Sequence, residues 1–308
     1  MYLFNTKYFF MCLVLFLCNI NETLMAEKRA LVIGIGSYPN ENGWDAINGD
    51  KDILLVEDYL RSNGFDIENI DVLKNEQATA NNIRKAFQIL INDAKEDDVV
   101  YIHFSGHGQL ITDLNGDESD GFDESWVAYD AHNEYKQGIY EGKNHIIDDQ
   151  INTFLGTLRK KVGRSGKITL VADACHSGTL TAFIHKVVNV SKCLIANIVS
   201  NNIKTYAMQQ RGETNAFRIP HSKVVLFSSE NNPIDWIFIS ACKSNQCNYE
   251  YNNVGSLTYA ISLQKDSLST YSCTQLIDSI KVTIKNKFFL TQTPVLERPN
   301  TNYQLTIF

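Results

Sequence analysis

Two short stretches hold residue types able to do acid–base and nucleophilic chemistry. One is "HFSGHGQ", which contains His107; the other is "VADACHSG", which contains Cys175. An imidazole changes charge near neutral pH and can take or give a proton there. Bracketed by Gly106 and Gly108 at the end of an apolar run, His107 reads as an exposed imidazole. A cysteine attacks only as its thiolate, so it needs a base or an electropositive setting. The two residues lie 175 − 107 = 68 positions apart, so only a fold that joins two separate strand ends makes them a pair. Taken alone, Cys175 reads better as a small buried apolar residue, and His107 as readily as a structural histidine.

The elements around them are legible. "RALVIGIGSYP" is a β-branched apolar run stopped by Gly and Pro, which is the pattern of a buried strand. "DKDILLVEDYLRSNG" places Ile53, Val56 and Leu60 at helical spacing and ends on Gly64. "IDVL" is a second strand, and "NNIRKAFQILINDA" puts Ile83, Phe87, Leu90 and Ile91 on one helical face. "DDVVYIHFSGHG" is a third strand, then come an acidic loop and a short helix near "DDQINTFLGTLRKK", and "GKITLVADACHSG" is a fourth strand. Beyond a weakly patterned stretch, "DWIFISAC" reads as a strand, "SLTYAISLQ" and "CTQLIDSIKVTIKN" as helices, and "TQTPVLERP" as extended. Strands alternating with amphipathic helices predict an α/β fold with a mostly parallel central sheet flanked by helices. Functional groups then gather beyond the carboxyl ends of the strands, where both His107 and Cys175 fall.

Other signals are weaker. "DLNGDESDGFDE" sets Asp113, Asn115, Asp117, Ser119 and Glu124 at EF-hand positions, but Glu118 stands where the loop needs Gly. "GIGSYP" lacks the third glycine of a dinucleotide fingerprint. His103 and His107 are four apart on a strand end, which does not put both on one helical face, so His103 reads as a core residue.

Taken together, these stretches resemble the caspase-like cysteine peptidases, above all the metacaspase and bacterial caspase-homologue branch. The likeness is carried by "FSGHG" and "DACHSG" after their strands, "NGDKDILLVEDYL", "DLNGDESDGFDES", "IIDDQI", "FISACKSNQ", "GSLTYAI" and "TQTPVLE", in that order, and spans most of residues 28–308. The resemblance implies a caspase-like three-layer sandwich and a Cys/His dyad. Cys175 would attack a peptide carbonyl, His107 would move the protons, and the N–H groups of Gly108 and Cys175 would stabilise the oxyanion. It also implies that Asp52, Ser105 and Asp173 line the pocket for the residue before the cut. Carboxylates there favour guanidinium or ammonium, so the expected partner is a peptide or protein substrate cut after Arg or Lys. In the same likeness Asp123, Asp148 and Asp149 match acidic ligand positions for calcium. "CHSGTLTA" lacks the further Asp expected after the nucleophile, so calcium is expected as an activator at most, and no cofactor is required for the chemistry.

Composition bounds the rest. The chain has 308 residues, 44% hydrophobic, with a net charge of −7; that is enough for a full core and argues against a nucleic-acid partner. Residues 1–26 read as a secretory signal: Lys7, the apolar run "YFFMCLVLFLC", and a small residue at Ala26. The run is shorter than the roughly 20 residues of a membrane span, so the mature protein is expected to be exported with no stable span; the alternative is an uncleaved N-terminal anchor. Five cysteines remain after residue 26 (7 − 2), an odd number that leaves a thiol unpaired within the chain. The body divides into residues 27–180 with the dyad, an Asn/Ser/Lys-rich linker or insertion at 181–233, and 234–308 completing the same domain. Basic residues in the linker (Lys186, Lys192, Lys204, Arg211, Arg218 and Lys223) would let an enzyme of this specificity cut itself. Two rivals stand beside this reading: a catalytically silent scaffold of the same fold, and a metal-dependent hydrolase using His103, His107 and the acidic loop.

Overall fold

The computed structural model describes residues 26–116, 118, 121–175, 216–220, 235–243, 246–299 and 305–308. Six strands form the central sheet. In chain order these are β1 (Lys28–Gly34), β2 (Ile70–Lys74), β3 (Val99–Ser105), β7 (Lys167–Asp173), β8 (Ile237–Ser240) and β11 (Val295–Glu297). They lie side by side in the order β11-β8-β7-β3-β1-β2. All neighbours run parallel except β11, which is antiparallel to β8. The chain is therefore an α/β sandwich with a mostly parallel sheet.

Strand alternation divides the core into two faces. Val100, Ile102, Phe104, Ile168, Leu170 and Ala172 face one side, where helices α2 (Ala80–Asp93) and α3 (Asp148–Val162) bury Ile83, Phe87, Leu90, Ile151 and Leu155. The opposite face meets α1 (Gly49–Ser62), α4 (Ser256–Ser262) and α5 (Cys273–Val282), through Val56, Tyr59, Leu257, Ile261 and Ile277. The apolar stripe read for α2 is the buried one. The helix expected to be short near Asp148 runs fifteen residues, because Ile151, Leu155, Leu158 and Val162 keep helical spacing to its end.

A second sheet lies outside the predicted set. Strands β4 (Gly108–Thr112), β5 (Phe122–Val127) and β6 (His145–Ile147) form an antiparallel layer directly after the histidine turn. The acidic loop read from sequence is thus the connection between β4 and β5. The region taken as a linker touches the body here: Phe217 donates to the Leu110 carbonyl at 2.7 Å and accepts from Thr112 N at 3.0 Å. Its buried ring packs on His145 at 4.8 Å. The N-terminal segment 1–25 and the rest of the insertion, including "KVVLFSS", lie outside the described residues. Among the described residues no helix is long and apolar enough to cross a membrane. Of the described cysteines, Cys175, Cys242 and Cys273 are buried and Cys247 is half-buried.

Candidate active site

Strand register assembles the site. Ser105 at the end of β3 sits opposite Asp173 at the end of β7. His107 and Cys175 each follow two residues later, so they leave adjacent parallel strands at the same level. The fold thus supplies the juxtaposition that a 68-residue separation could not guarantee.

His107 is held from three sides. Its Nε2 lies 2.9 Å from the backbone carbonyl of Asp45. Donation to that oxygen fixes the tautomer with Nε2–H and leaves Nδ1 as the basic nitrogen. The Trp44 indole stacks on the imidazole with centroids 4.9 Å apart, and Tyr38 lies at 5.2 Å. The His107 N–H donates to Tyr38 Oη at 3.1 Å. These rings explain a correction: His107 is not exposed, as its glycine neighbours suggested, but buried. The third group that orients it is a main-chain carbonyl, which no sequence pattern marks because every residue has one.

Cys175 is also buried, and its sulfur accepts from Asn248 N at 3.5 Å. Gly108 opens β4 against it. A Cβ built on Gly108 would lie 1.9 Å from the Cys175 carbonyl oxygen, so only glycine lets the two main chains approach this closely.

Asp52, Ser105 and Asp173 come together, all fully buried. Asp52 sits in the first turn of α1, where the helix dipole favours negative charge. Its Oδ2 accepts from Ser105 Oγ, and its Oδ1 from Gly255 N at 2.7 Å. Asp173 Oδ1 accepts from Asn248 Nδ2 at 2.6 Å; its Oδ2 accepts from Thr258 N at 2.8 Å and Thr258 Oγ1 at 2.7 Å. The two carboxylates converge on Gly255, between the strands β9 (Glu250–Tyr251) and β10 (Val254–Gly255) and helix α4. A Cβ on Gly255 would meet Asp173 Oδ2 at 2.1 Å and Asp52 Oδ2 at 2.5 Å. A glycine at the join of a hairpin and a helix was the only sequence signal for this contact. Ionised carboxylate oxygens accept more than one hydrogen bond, so these anchors are compatible with holding a cation as well.

Beneath the carboxylates runs a polar column in the core. Thr258 Oγ1 lies 3.2 Å from His103 Nε2, and His103 Nδ1 lies 3.4 Å from both Tyr59 and Tyr101 hydroxyls, themselves 2.6 Å apart. Burial first, then Tyr101 and the charges of Asp52 and Asp173, push the Tyr59 phenol well above its usual range. Both tyrosines are thereby held neutral as donors. His103 is a core residue, as the sequence suggested. It faces α4, while His107 sits at the strand end.

The acidic loop is organised by Asp113, whose Oδ1 accepts from Asn115 N at 2.8 Å and Gly116 N at 2.6 Å, and whose Oδ2 accepts from Glu118 N at 3.0 Å. Asp123 and Asp148 are buried beside it, and Asp149 accepts from Asn115 Nδ2 at 2.5 Å. Burial, then the neighbouring charges of Glu124, Asp123, Asp149 and Glu118, push the Asp148 carboxyl well above the usual carboxylate range. Among the described residues its Oδ1 is buried with no hydrogen-bond partner. Crowded all-oxygen ligands of this kind suit a hard cation such as calcium. Among the described residues no group of three His, Cys, Asp or Glu is closed up enough to hold a metal. The residues fit in type, and the side chains would have to draw inward to ligate. The metal-hydrolase alternative likewise finds no ready three-ligand group there.

Comparison with known proteins agrees with this architecture. The family described as metacaspase, peptidase C14 domain, matches residues 28–183. Metacaspase-1 of Schizosaccharomyces pombe is 27% identical over 298 residues, covering 87% of this chain and 66% of that protein. Metacaspase-1 of Meyerozyma guilliermondii is 25% identical over 292 residues (85% and 67%), and that of Candida albicans 28% over 276 (77% and 56%). The chain thus spans about two thirds or less of the length of these relatives. Among solved structures, protein GSU0716 from Geobacter sulfurreducens superposes with a TM-score of 0.61 at 20% identity, covering 90% of this chain and 96% of that one, which is a likeness of fold.

Proposed function

Because the chain belongs to the metacaspase, peptidase C14 family, whose members are cysteine peptidases, we propose that it is an endopeptidase cutting after Arg or Lys. The observation that carries the specificity is the convergence of Asp52 and Asp173 on Gly255, with Asp173 ending the strand that Cys175 follows two residues later. Two carboxylates in a dry pocket select a cation, and a guanidinium can be held bidentately.

In this reading Cys175 attacks the scissile carbonyl as its thiolate. The N–H groups of Gly108 and Cys175 take the developing oxyanion charge. His107, oriented through Nε2 by the Asp45 carbonyl, takes the Cys175 thiol proton on Nδ1 and gives it to the leaving amine. The resulting thioester is hydrolysed by a water that His107 deprotonates, which regenerates the thiol. Asp123, Asp148 and Asp149 would be the residues to hold an activating calcium, which would neutralise charge in the acidic loop. Basic residues in the insertion are the sites of self-processing, and residues 1–26 direct export.

The deciding experiment is hydrolysis of short fluorogenic peptides ending in Arg, Lys or Asp, with and without calcium, by the full chain and by Cys175→Ala. Turnover of Arg or Lys peptides, lost in Cys175→Ala, is expected. Preference for Asp would sink the pocket assignment. Absence of any turnover would favour the silent scaffold. Denaturing gels of the same two proteins test self-processing: identical fragments in both would rule it out. N-terminal sequencing of the protein recovered from an expressing host tests export, and a start near residue 27 is expected.

A further inference from the structure

We propose that Asn248 is a positioning residue that ties the nucleophile to the specificity pocket, so that thiol reactivity and recognition of a basic side chain are set together. This rests on the roles given above to Cys175 and Asp173. Asn248 belongs to neither the dyad nor the acidic pocket, yet it touches both. It is fully buried. Its main-chain N–H donates to Cys175 Sγ at 3.5 Å, and its side-chain Nδ2 donates to Asp173 Oδ1 at 2.6 Å.

The amide is clamped in one orientation. Asn248 Oδ1 accepts from Gln292 Nε2 at 3.0 Å and from Tyr249 N at 2.9 Å. Gln292 is buried as well; its Nε2 also donates to the Ala241 carbonyl at 2.9 Å, and its Oε1 accepts from Ser256 Oγ at 2.8 Å and Tyr249 N at 3.0 Å. Flipping Gln292 would set its oxygen against two carbonyl oxygens. Flipping Asn248 would set its oxygen against a carboxylate. The network therefore needs a side chain of this length that donates toward Asp173 and accepts toward Gln292, which asparagine alone provides.

The consequence is electrostatic. Asp173 lies two residues from the sulfur, and its negative charge opposes formation of a thiolate. Asn248 turns the positive end of its amide dipole onto that carboxylate and offers its N–H to the sulfur, and both effects favour the thiolate. A change at the side chain should thus be felt at the sulfur through Asp173 and through the placement of the main chain, even though no side-chain atom of Asn248 is the sulfur's donor.

The test reads the sulfur directly. Alkylation of Cys175 by iodoacetamide is followed against pH, with mass spectrometry resolving the Cys175 peptide from those of the other thiols. Proteins are the wild-type chain, Asn248→Ala, Asn248→Asp, and the double change Asn248→Asp with Asp173→Asn. Asn248→Asp should move the alkylation profile to higher pH and slow the reaction at pH 7 about tenfold, since it adds a like charge beside the thiol. Asn248→Ala should fall between. The double change reverses the hydrogen bond while keeping one carboxylate, and should return the rate to within about twofold of wild type. If Asn248→Asp does not fold, Gln292→Ala, which loosens the same amide, should shift the profile in the same direction by about threefold. Unmoved profiles in folded variants, or a double change no faster than Asn248→Asp, would overturn the proposal. Wild type that alkylates as described but hydrolyses no peptide would overturn the peptidase reading instead, leaving the coupling intact.

Discussion

Gly255→Ala isolates the acidic pocket. The backbone there has φ −59° and ψ 134°, a conformation that alanine adopts freely, so nothing is lost in the main chain itself. The added methyl would lie 2.1 Å from Asp173 Oδ2, 2.5 Å from Asp52 Oδ2 and 2.6 Å from Asp173 Cγ. Ordinary carbon–oxygen contact requires the nearest oxygen to retreat by about 1 Å. Asp173 cannot do so while keeping Thr258 and Asn248, and Asp52 cannot while keeping Ser105 and the Gly255 N–H. Overpacking of this kind costs about 1–3 kcal/mol. For a chain of this size that lowers Tm by about 2–5 °C. A reacting geometry displaced by about 1 Å loses on the order of 100-fold in kcat/KM. The assays are thermal unfolding by fluorimetry and hydrolysis of an Arg-ending fluorogenic peptide. Gly156→Ala is the control: in α3, with nothing within 4 Å of the added carbon, it should gain about 1 kcal/mol of stability and keep its activity. Wild-type kcat/KM and Tm in Gly255→Ala would refute both the convergence of the carboxylates and their role in binding.

Trp44→Ala removes the ring stacked on His107; stacking is worth about 0.5–1.5 kcal/mol, so kcat should fall about threefold to tenfold with KM little changed, as steady-state kinetics would read. Asp148→Asn removes a carboxyl whose charged form is disfavoured by burial and four acidic neighbours; Tm in chelator should rise, and the Tm shift on adding calcium should disappear. His145 is held neutral chiefly by burial, its imidazole pushed down to about 4, with Nδ1 2.9 Å from Tyr140 Oη and Nε2 2.8 Å from Gln109 Oε1. The unfolded chain binds this proton near pH 6.5 and the folded chain does not, so the stability is present above that pH. It is lost as pH falls from about 6.5 toward 4, by about 3 kcal/mol in total. Denaturant titrations between pH 7 and 4 should show that slope, and His145→Gln should flatten it.

Period and punctuation made much of the fold readable. Ile83, Phe87, Leu90 and Ile91 repeat at helical spacing and are buried together. The β-branched runs at Val99–Ser105 and Lys167–Asp173 became neighbouring parallel strands. The β4-β5-β6 sheet escaped because its strands are short and its middle looks like an acidic loop, so local pattern favoured a turn over pairing that depends on partners elsewhere. Of the groups that hold the site, Gln292 stands 44 positions from Asn248, and the Asp45 carbonyl 62 from His107.

The sequence by itself determined the chemistry on offer: one cysteine and one histidine at strand ends, two carboxylates and a serine near them, and an acidic cluster apart from these. Those identities are covalent and survive in any conformation. Only the tertiary structure decided that Ser105 faces Asp173 across the sheet, that a main-chain carbonyl and an indole hold the imidazole, and that Asn248 joins sulfur to carboxylate. Hydrogen bonds act over about 3 Å. Groups tens to hundreds of residues apart come within that reach only once the sheet is registered and its two faces are packed.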